Sequence, residues 1–423
     1  MADYIETLYG RTRRDDAAAP PLDGPLKVEV CVVGGGMAGL ATALDLAERG
    51  LSVSLIEKHR VGWGASGRNG GFVNPGLPVR IQDMVDRFGI DDARTFYALS
   101  RMGLALVRKR LDRYRIDCDR VDGTLRCRMT NSGPGLHALQ DLMARHFDSE
   151  QEYWGQNRVC EALHTTRYGE ALLNREGFSV QPLDLTRGMA RAFQQAGGQL
   201  FEQTPATRLR LGSHKSVHTP RGVIHAQQVV LALGGHAGWL NWRLGGATIP
   251  VQSYVMATAP LPEAQRRAIG VLYSVFDDST ATNYYRLTPD HRLVWGGRVG
   301  IGAMSPARIG VALRRDAASF YPALSDVPIE AAWCGSMPYT RTRMPSIGQL
   351  RPGTWYATGF GGLGMALTTM AGRLIADGIA GMGEDWRRFE RFGLPFAGGR
   401  LAQVPAQLVY MRHRAANRLA RAS

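Results

Sequence analysis

The stretch VEVCVVGGGMAGLATALDLAERGLSVSLIEKHRVGWGASGRNGG, residues 28–71, decides how this chain folds. Residues 28–33 form a short run rich in β-branched side chains, as a buried parallel strand requires. Gly34, Gly36 and Gly39 follow in G-x-G-x-x-G spacing, with Met37 and Ala38 inside the motif. Leu40, Leu44 and Ala47 repeat at helical spacing, and Gly50 ends the helix. Residues 51–56 make a second apolar strand, and Glu57 stands at its end, 18 positions after Gly39.

Each part has a physical task. Gly34 permits the tight strand-to-helix turn, Gly36 has no side chain to hold a pyrophosphate off the backbone, and Gly39 lets helix and strand pack closely. The helix N-terminus offers free N–H groups and the positive end of its dipole to phosphates. A carboxylate about 20 residues on can take the ribose hydroxyls. This predicts a dinucleotide site with Glu57 and its neighbour Lys58 at the ribose, for either NAD or FAD.

A second Gly-rich loop, GWGASGRNGG, occupies residues 62–71 directly after the acid. It resembles the loop of the D-amino-acid-oxidase-like flavoproteins (glycine and sarcosine oxidases among them). The resemblance implies noncovalent FAD, with Trp63, Gly64, Ala65, Ser66, Arg68, Asn69, Gly70 and Gly71 along the pyrophosphate and ribityl chain. It also implies Thr207 beside the adenine, Ala232 and Gly234 at the end of the apolar run 229–235, and a third Gly-rich turn. That turn comprises Gly359, Phe360, Gly361, Gly362, Leu363, Gly364 and Met365. In the resembled family it lies under the flavin pyrimidine, where a helix dipole stabilises negative charge.

The bulk numbers bound the rest. A chain of 423 residues, 44% hydrophobic, supports a large core and two domains. No apolar run approaches the roughly 20 residues of a membrane span. Residues 1–24 lack the apolar segment of a signal peptide, and Arg13-Arg14 is followed by Asp15-Asp16. The five cysteines are scattered and include no Cys-x-x-Cys pair, which argues against a disulfide framework or metal site and for a cytoplasmic setting. The formal charge is +14, yet the arginines are spread without a dense run, so no nucleic-acid partner is expected. Residues 400–421 form a basic, partly apolar tail. Its composition suits docking on anionic lipid, but a terminal helix packed on its own protein is the reading adopted.

The expected architecture is α/β: a Rossmann-like, glutathione-reductase-like FAD domain with an inserted α+β substrate domain on a mostly antiparallel sheet. Residues 1–24 form an arm. Residues 25–90, 158–245 and 335–396 form the FAD domain, residues 91–157 and 246–334 the substrate domain, and residues 397–423 the tail. Helices are predicted at 91–114 and 135–146, and single strands at 123–129, 200–211, 249–258, 283–288 and 292–298.

Further pieces, including EQTPA (202–206), YYRLT (284–288), RMP (343–345) and PFAGG (395–399), are similar to the γ-glutamylputrescine oxidases within that family. This implies oxidation of the C–N bond of a small-molecule amine to an imine, hydrolysed to an aldehyde, by hydride transfer to flavin N5. Three departures bear on substrate and acceptor. Amino-acid oxidases of the family often carry Arg before Pro in a segment that here reads GSMP (335–338). Closer relatives tend to have His at the positions of Leu363 and Gln181. No lysine follows Lys215, whereas sarcosine-oxidase-like members use one to help reduce O₂, so the acceptor is O₂ or another carrier. The catalytic candidates are Asn69, Phe72, Tyr254, Tyr285, Trp295 and Arg343. Only one of the adjacent Tyr284 and Tyr285 can face a pocket from a regular strand. The alternatives are an N-substituted or unusual amino-acid dehydrogenase with a non-oxygen acceptor and, on charge alone, an RNA-associated flavoprotein.

Overall fold

A computed structural model describes residues 4–403, apart from 130–134, 239, 271, 280–281, 301 and 303, together with residue 407. Two sheets organise it. In the first, the strand order is Ser346–Arg351, Thr354–Thr358, Gly222–Leu231, Leu26–Val33, Val53–Ile56 and Gln199–Phe201. Its last five strands run parallel, and Ser346–Arg351 adds an antiparallel edge. Helix Met37–Ala47 leaves the first strand with every residue buried, flanked by helices Pro182–Gln195 and Gly364–Ile379. The contact with Gly364–Ile379 depends on Gly372, where an added Cβ would lie 2.6 Å from Ala41 Cβ.

In the second sheet the order is Ile329–Thr340, Thr248–Thr258, Leu293–Gly300, Tyr284–Leu287, Ser274–Asp277, Val121–Met129, Tyr168–Ser179 and Phe72–Val73. All neighbours are antiparallel except Ser274–Asp277 with Val121–Met129. The α/β class and the mostly antiparallel second sheet agree with the sequence reading.

Several boundaries differ. Tyr168–Ser179, predicted within the FAD domain, is a 12-residue strand of the second sheet, joined to Val121–Met129 along its length. Ile329–Thr340 crosses the expected return at 335 because the ladder with Thr248–Thr258 continues to Thr340. Helix Ile90–Arg113, expected with the substrate domain, buries Phe96, Leu104 and Val107 in the same core as Met37, Leu40 and Met370. The single strand expected at 200–211 is two strands, Gln199–Phe201 and Arg208–Leu211. Pro205 cannot donate to a ladder, and Glu202 turns aside to accept from the N–H groups of Val61 (2.6 Å) and Ala19 (2.9 Å).

Residues 4–24 are docked on the protein. Helix Leu8–Arg11 buries Leu8 and Tyr9, and the Tyr9 ring meets the edge of Trp333 at 5.2 Å. Of the expected tail, only residues 397–403 and 407 lie within the described residues. Among the described residues, no helix is long and apolar enough to cross a membrane.

Candidate active site

The two sheets enclose a cavity of about 1090 Å³. At one end it is bounded by the strand-to-helix turn at Gly34, Gly36, Met37 and Ala38. Gly34 has φ +115°, a conformation that L side chains avoid. Gly36 lines the space itself. Gly39 does not: an added Cβ there would lie 2.0 Å from Gly34 O, so it is a packing glycine. The half-buried Glu57 accepts from the N–H groups of Gly35 (2.7 Å) and His59 (2.8 Å). Burial raises its pKa, those hydrogen bonds oppose the rise, and a carboxylate keeps further lone pairs for a ligand. Lys58 lines the cavity beside it.

The second Gly-rich loop forms the adjoining wall through Trp63, Gly64, Ala65, Ser66, Arg68, Asn69 and Gly70. Ser66 Oγ accepts from Met37 N–H at 3.0 Å and so caps the turn opposite. Arg68 lies 4.1 Å over the Trp63 ring, which stacks on His59. Burial lowers the Arg68 pKa to about 10. One Arg68 guanidinium nitrogen and Trp63 Nε1 are buried without a hydrogen-bond partner. An open cradle at Gly36, a carboxylate on the cavity wall at Glu57 and unmatched donors beside it fit the diphosphate dinucleotide that the sequence predicts.

Ala232 and Gly234 line the space, as do Phe360, Gly361, Gly362, Leu363, Gly364 and Met365 at the start of helix Gly364–Ile379. No side chain caps that helix, so its first N–H groups are open to the cavity. Gly71 and Gly359 stand behind the lining. An added Cβ would lie 2.0 Å from Val180 O at Gly71, and 2.3 Å from Thr340 Cγ2 at Gly359.

Thr207 is a correction. It is exposed, and both its N–H and its hydroxyl bond His218 O, so Thr204, Pro205 and Ala206 line the cavity instead. Among the catalytic candidates, Phe72 lines the cavity and Asn69 does so with its side chain committed. Its amide donates to Ala65 O and Ser66 O and accepts from Gly71 N–H, which shapes the loop. Tyr254, Tyr285 and Trp295 do not line it. Strand alternation turns them into the core on the other face. There Tyr285 stacks on Trp295 at 4.3 Å, its hydroxyl meets Tyr321 Oη at 2.8 Å, and Tyr254 donates to Gly302 O. Arg343 is exposed in a turn at φ +61° and lies away from the cavity.

The residue that faces the cavity is Tyr284. Its ring lies over Gly296, with Phe72 edge-on at 5.8 Å and Ser253 Oγ 3.3 Å from its hydroxyl. Burial pushes its pKa up to about 12, so the phenol stays protonated. Phe276, Met337 and Tyr339 continue this wall. Arg126, Asn174 and Asp278 line the far end and were not singled out from the sequence. Alternation along GTLRCRM (123–129) could have placed Thr124 and Arg126 on one face, but only the register shows that the face is the cavity. None of the five cysteines lines the cavity, which accords with noncovalent cofactor binding.

Comparison with known proteins agrees with this geometry. Residues 29–378 match the DAO family, described as FAD dependent oxidoreductase. Gamma-glutamylputrescine oxidoreductase of Escherichia coli (strain K12) is 33% identical over 412 residues, 96% of each chain. Glycine oxidase of Geobacillus kaustophilus (strain HTA426) is 27% identical over 383 residues, 83% of this chain and 92% of its own. The crystal structure of glycine oxidase from Bacillus cereus ATCC 14579 superimposes with a TM-score of 0.71 at 20% identity, over 87% of this chain and 98% of that one. The chain therefore belongs to the DAO family of FAD-dependent oxidoreductases, acts on amine or amino-acid C–N bonds, and uses FAD as its cofactor.

Proposed function

We propose that this enzyme oxidises a primary amine carried on an elongated, γ-glutamylputrescine-like substrate to an imine, which water hydrolyses to an aldehyde and ammonia. One observation carries the choice of an amine over an α-amino acid. Met337 lines the cavity at the position where amino-acid oxidases of the family often carry the arginine that grips a carboxylate. A thioether cannot make that bidentate contact.

The chain's own residues prepare the amine. Phe72, Tyr284 and Tyr339 present aromatic surface that attracts the arriving ammonium group. Its transfer out of water lowers the amine pKa, so that it loses its proton before reaction. Tyr284 keeps its own proton and offers a neutral hydrogen-bonding group, and no carboxylate base is needed at this end. FAD, when bound, supplies the two-electron acceptor.

An acceptor other than oxygen is favoured by one feature: among the described residues, the only lysine on the cavity wall is Lys58, beside Glu57. The free cysteines support a reducing, cytoplasmic setting. The test is anaerobic bleaching of the bound flavin by a panel of amines and amino acids, followed by air. Bleaching by a γ-glutamyl diamine supports the reading. Persistence of the bleached state in air identifies a dehydrogenase. Bleaching by α-amino acids alone overturns the amine assignment.

A further inference from the structure

One register row of the second sheet runs along the cavity. Val255 pairs with Gly296, Gly296 with Tyr284, Tyr284 with Phe276, Phe276 with Arg126, and Arg126 with Leu172. All of these line the cavity except Gly296, which the Tyr284 ring covers. The row begins behind the flavin loop, since Val255 also pairs with Trp333, whose indole N–H donates to Arg68 O at 2.8 Å. It passes two aromatic rings and then reaches a cation.

That cation has no fixed partner. Among the described residues, no hydrogen bond or ion pair reaches the Arg126 guanidinium, whereas two other arginines of the cavity wall are paired. Arg80 is paired with Asp83, and Arg298 with Asp316. Burial disfavours the charged form of Arg126, and Arg80 and Arg128 add to this, against Asp278. Asp278 shares the cavity wall, accepts from Met129 N–H at 3.1 Å and lies 4.0 Å from Arg128 Nε. A desolvated guanidinium facing an open space gains most from a carboxylate, which it can hold through two parallel hydrogen bonds.

We propose that Arg126 and Asp278 form a distal recognition site for an α-amino-acid head group on the substrate. Arg126 takes the carboxylate and Asp278 the ammonium group. The inference rests on the amine-oxidation reading and extends it to a substrate class: amines with a zwitterionic far end. The spacing agrees. Tyr284 and Arg126 are two strands apart, so their Cα atoms lie about 10 Å from one another at the usual strand separation. In a γ-glutamyl diamine of the putrescine type, about eight bonds join the reacting carbon to the α-carbon of the head. At about 3.5 Å per three extended bonds this spans roughly 9 Å.

The test uses the FAD-loaded enzyme and the variants Arg126→Met, Arg126→Lys and Asp278→Asn. Two amines are compared by anaerobic flavin reduction: γ-glutamylputrescine, and N-butanoylputrescine, which lacks both head-group charges. For the wild type, the half-saturating concentration of the first should be lower by about 100-fold, the scale of a charge-assisted hydrogen-bonded pair. In Arg126→Met this ratio should collapse towards one, with Arg126→Lys intermediate. The limiting rate at saturation should change far less than the half-saturating concentration. An unchanged ratio overturns the proposal. Where Arg126→Met does not fold, Arg126→Lys and Asp278→Asn carry the same comparison. The non-oxidisable γ-glutamylbutylamide separates this inference from the reading beneath it. Calorimetric binding that depends on Arg126, without bleaching by either amine, retains the distal site and rejects amine oxidation. Binding that ignores Arg126, or no binding, rejects the distal site.

Discussion

Replacing Gly296 by alanine tests whether the Tyr284 ring lies where the structure puts it. A Cβ at 296 would stand 1.9 Å from Tyr284 Cζ and 2.3 Å from its hydroxyl oxygen. Ordinary contact begins near 3.4 Å, so the ring must move by about 1.5 Å. It has little room. A Cβ on Gly70 would lie 2.6 Å from the same ring, and Phe72 abuts it edge-on. Overpacking of this kind costs about 1–3 kcal/mol, and loss of the Ser253 hydrogen bond adds about 1 kcal/mol. Tyr284→Ala alone should cost about 3–5 kcal/mol as a large-to-small change. In the double variant the new methyl group finds empty space, so the overpacking term disappears. The Ser253 hydrogen bond is lost in both single variants but only once in the double variant, which should therefore be less destabilised than the two single effects combined, by about 2–4 kcal/mol. Urea unfolding at saturating FAD measures all four corners of the cycle. Additivity within about 0.5 kcal/mol would refute the placement of the ring.

Other outcomes follow from the same geometry. Gly36→Val should abolish FAD retention, because its side chain enters the open cradle; purified variant with a full complement of FAD would contradict the nucleotide assignment. Tyr285→Phe should lower stability by about 1 kcal/mol through loss of the Tyr321 hydrogen bond, while leaving the rate of flavin reduction unaltered, as stopped-flow absorbance would show. Burial pushes the Cys31 thiol up to about 12 from an ordinary value of 9.0. The folded state thus holds this proton more tightly than the unfolded chain, and the resulting stability is present below pH 9 and lost as pH rises towards 12. Between pH 8 and 10.5 the wild type should lose about 2 kcal/mol more than Cys31→Ala in urea unfolding; parallel pH dependence in the two would exclude this linkage.

The nucleotide end was legible in the sequence because its determinants are local. Gly34, Gly36, Gly39, Glu57 and the loop at 62–71 act through spacing within one βαβ unit. The substrate end was not, because it depends on register between distant strands. Tyr284 and Tyr285 are adjacent and chemically alike, and only Gly296 on the neighbouring strand makes room for one of them. Trp295 looked like a pocket wall by composition, yet it packs on Tyr285 in the core. Arg126 sits in a short charged strand with no motif around it. Its meaning comes from Phe276 and Leu172, neighbours contributed by segments far along the chain. Thr207 was misplaced because Pro205 ends the ladder that would have carried it inward.

The docked N-terminal segment bears on how the protein comes to exist in the cell. Tyr9 is synthesised well before Trp333, but it rests against that residue, which also anchors the flavin loop through Arg68 O. Arg286 spans the same gap, donating to Gly70 O at 2.9 Å with its guanidinium 6.0 Å from the Tyr9 ring. A ribosome adding about 5–20 residues per second needs roughly 15–65 s to pass from Tyr9 to Trp333. The dinucleotide turn therefore leaves the ribosome long before its supporting floor does. Support of the flavin loop must await synthesis of Trp333, and until then the nascent Leu8 and Tyr9 are apolar surface for chaperones to shield.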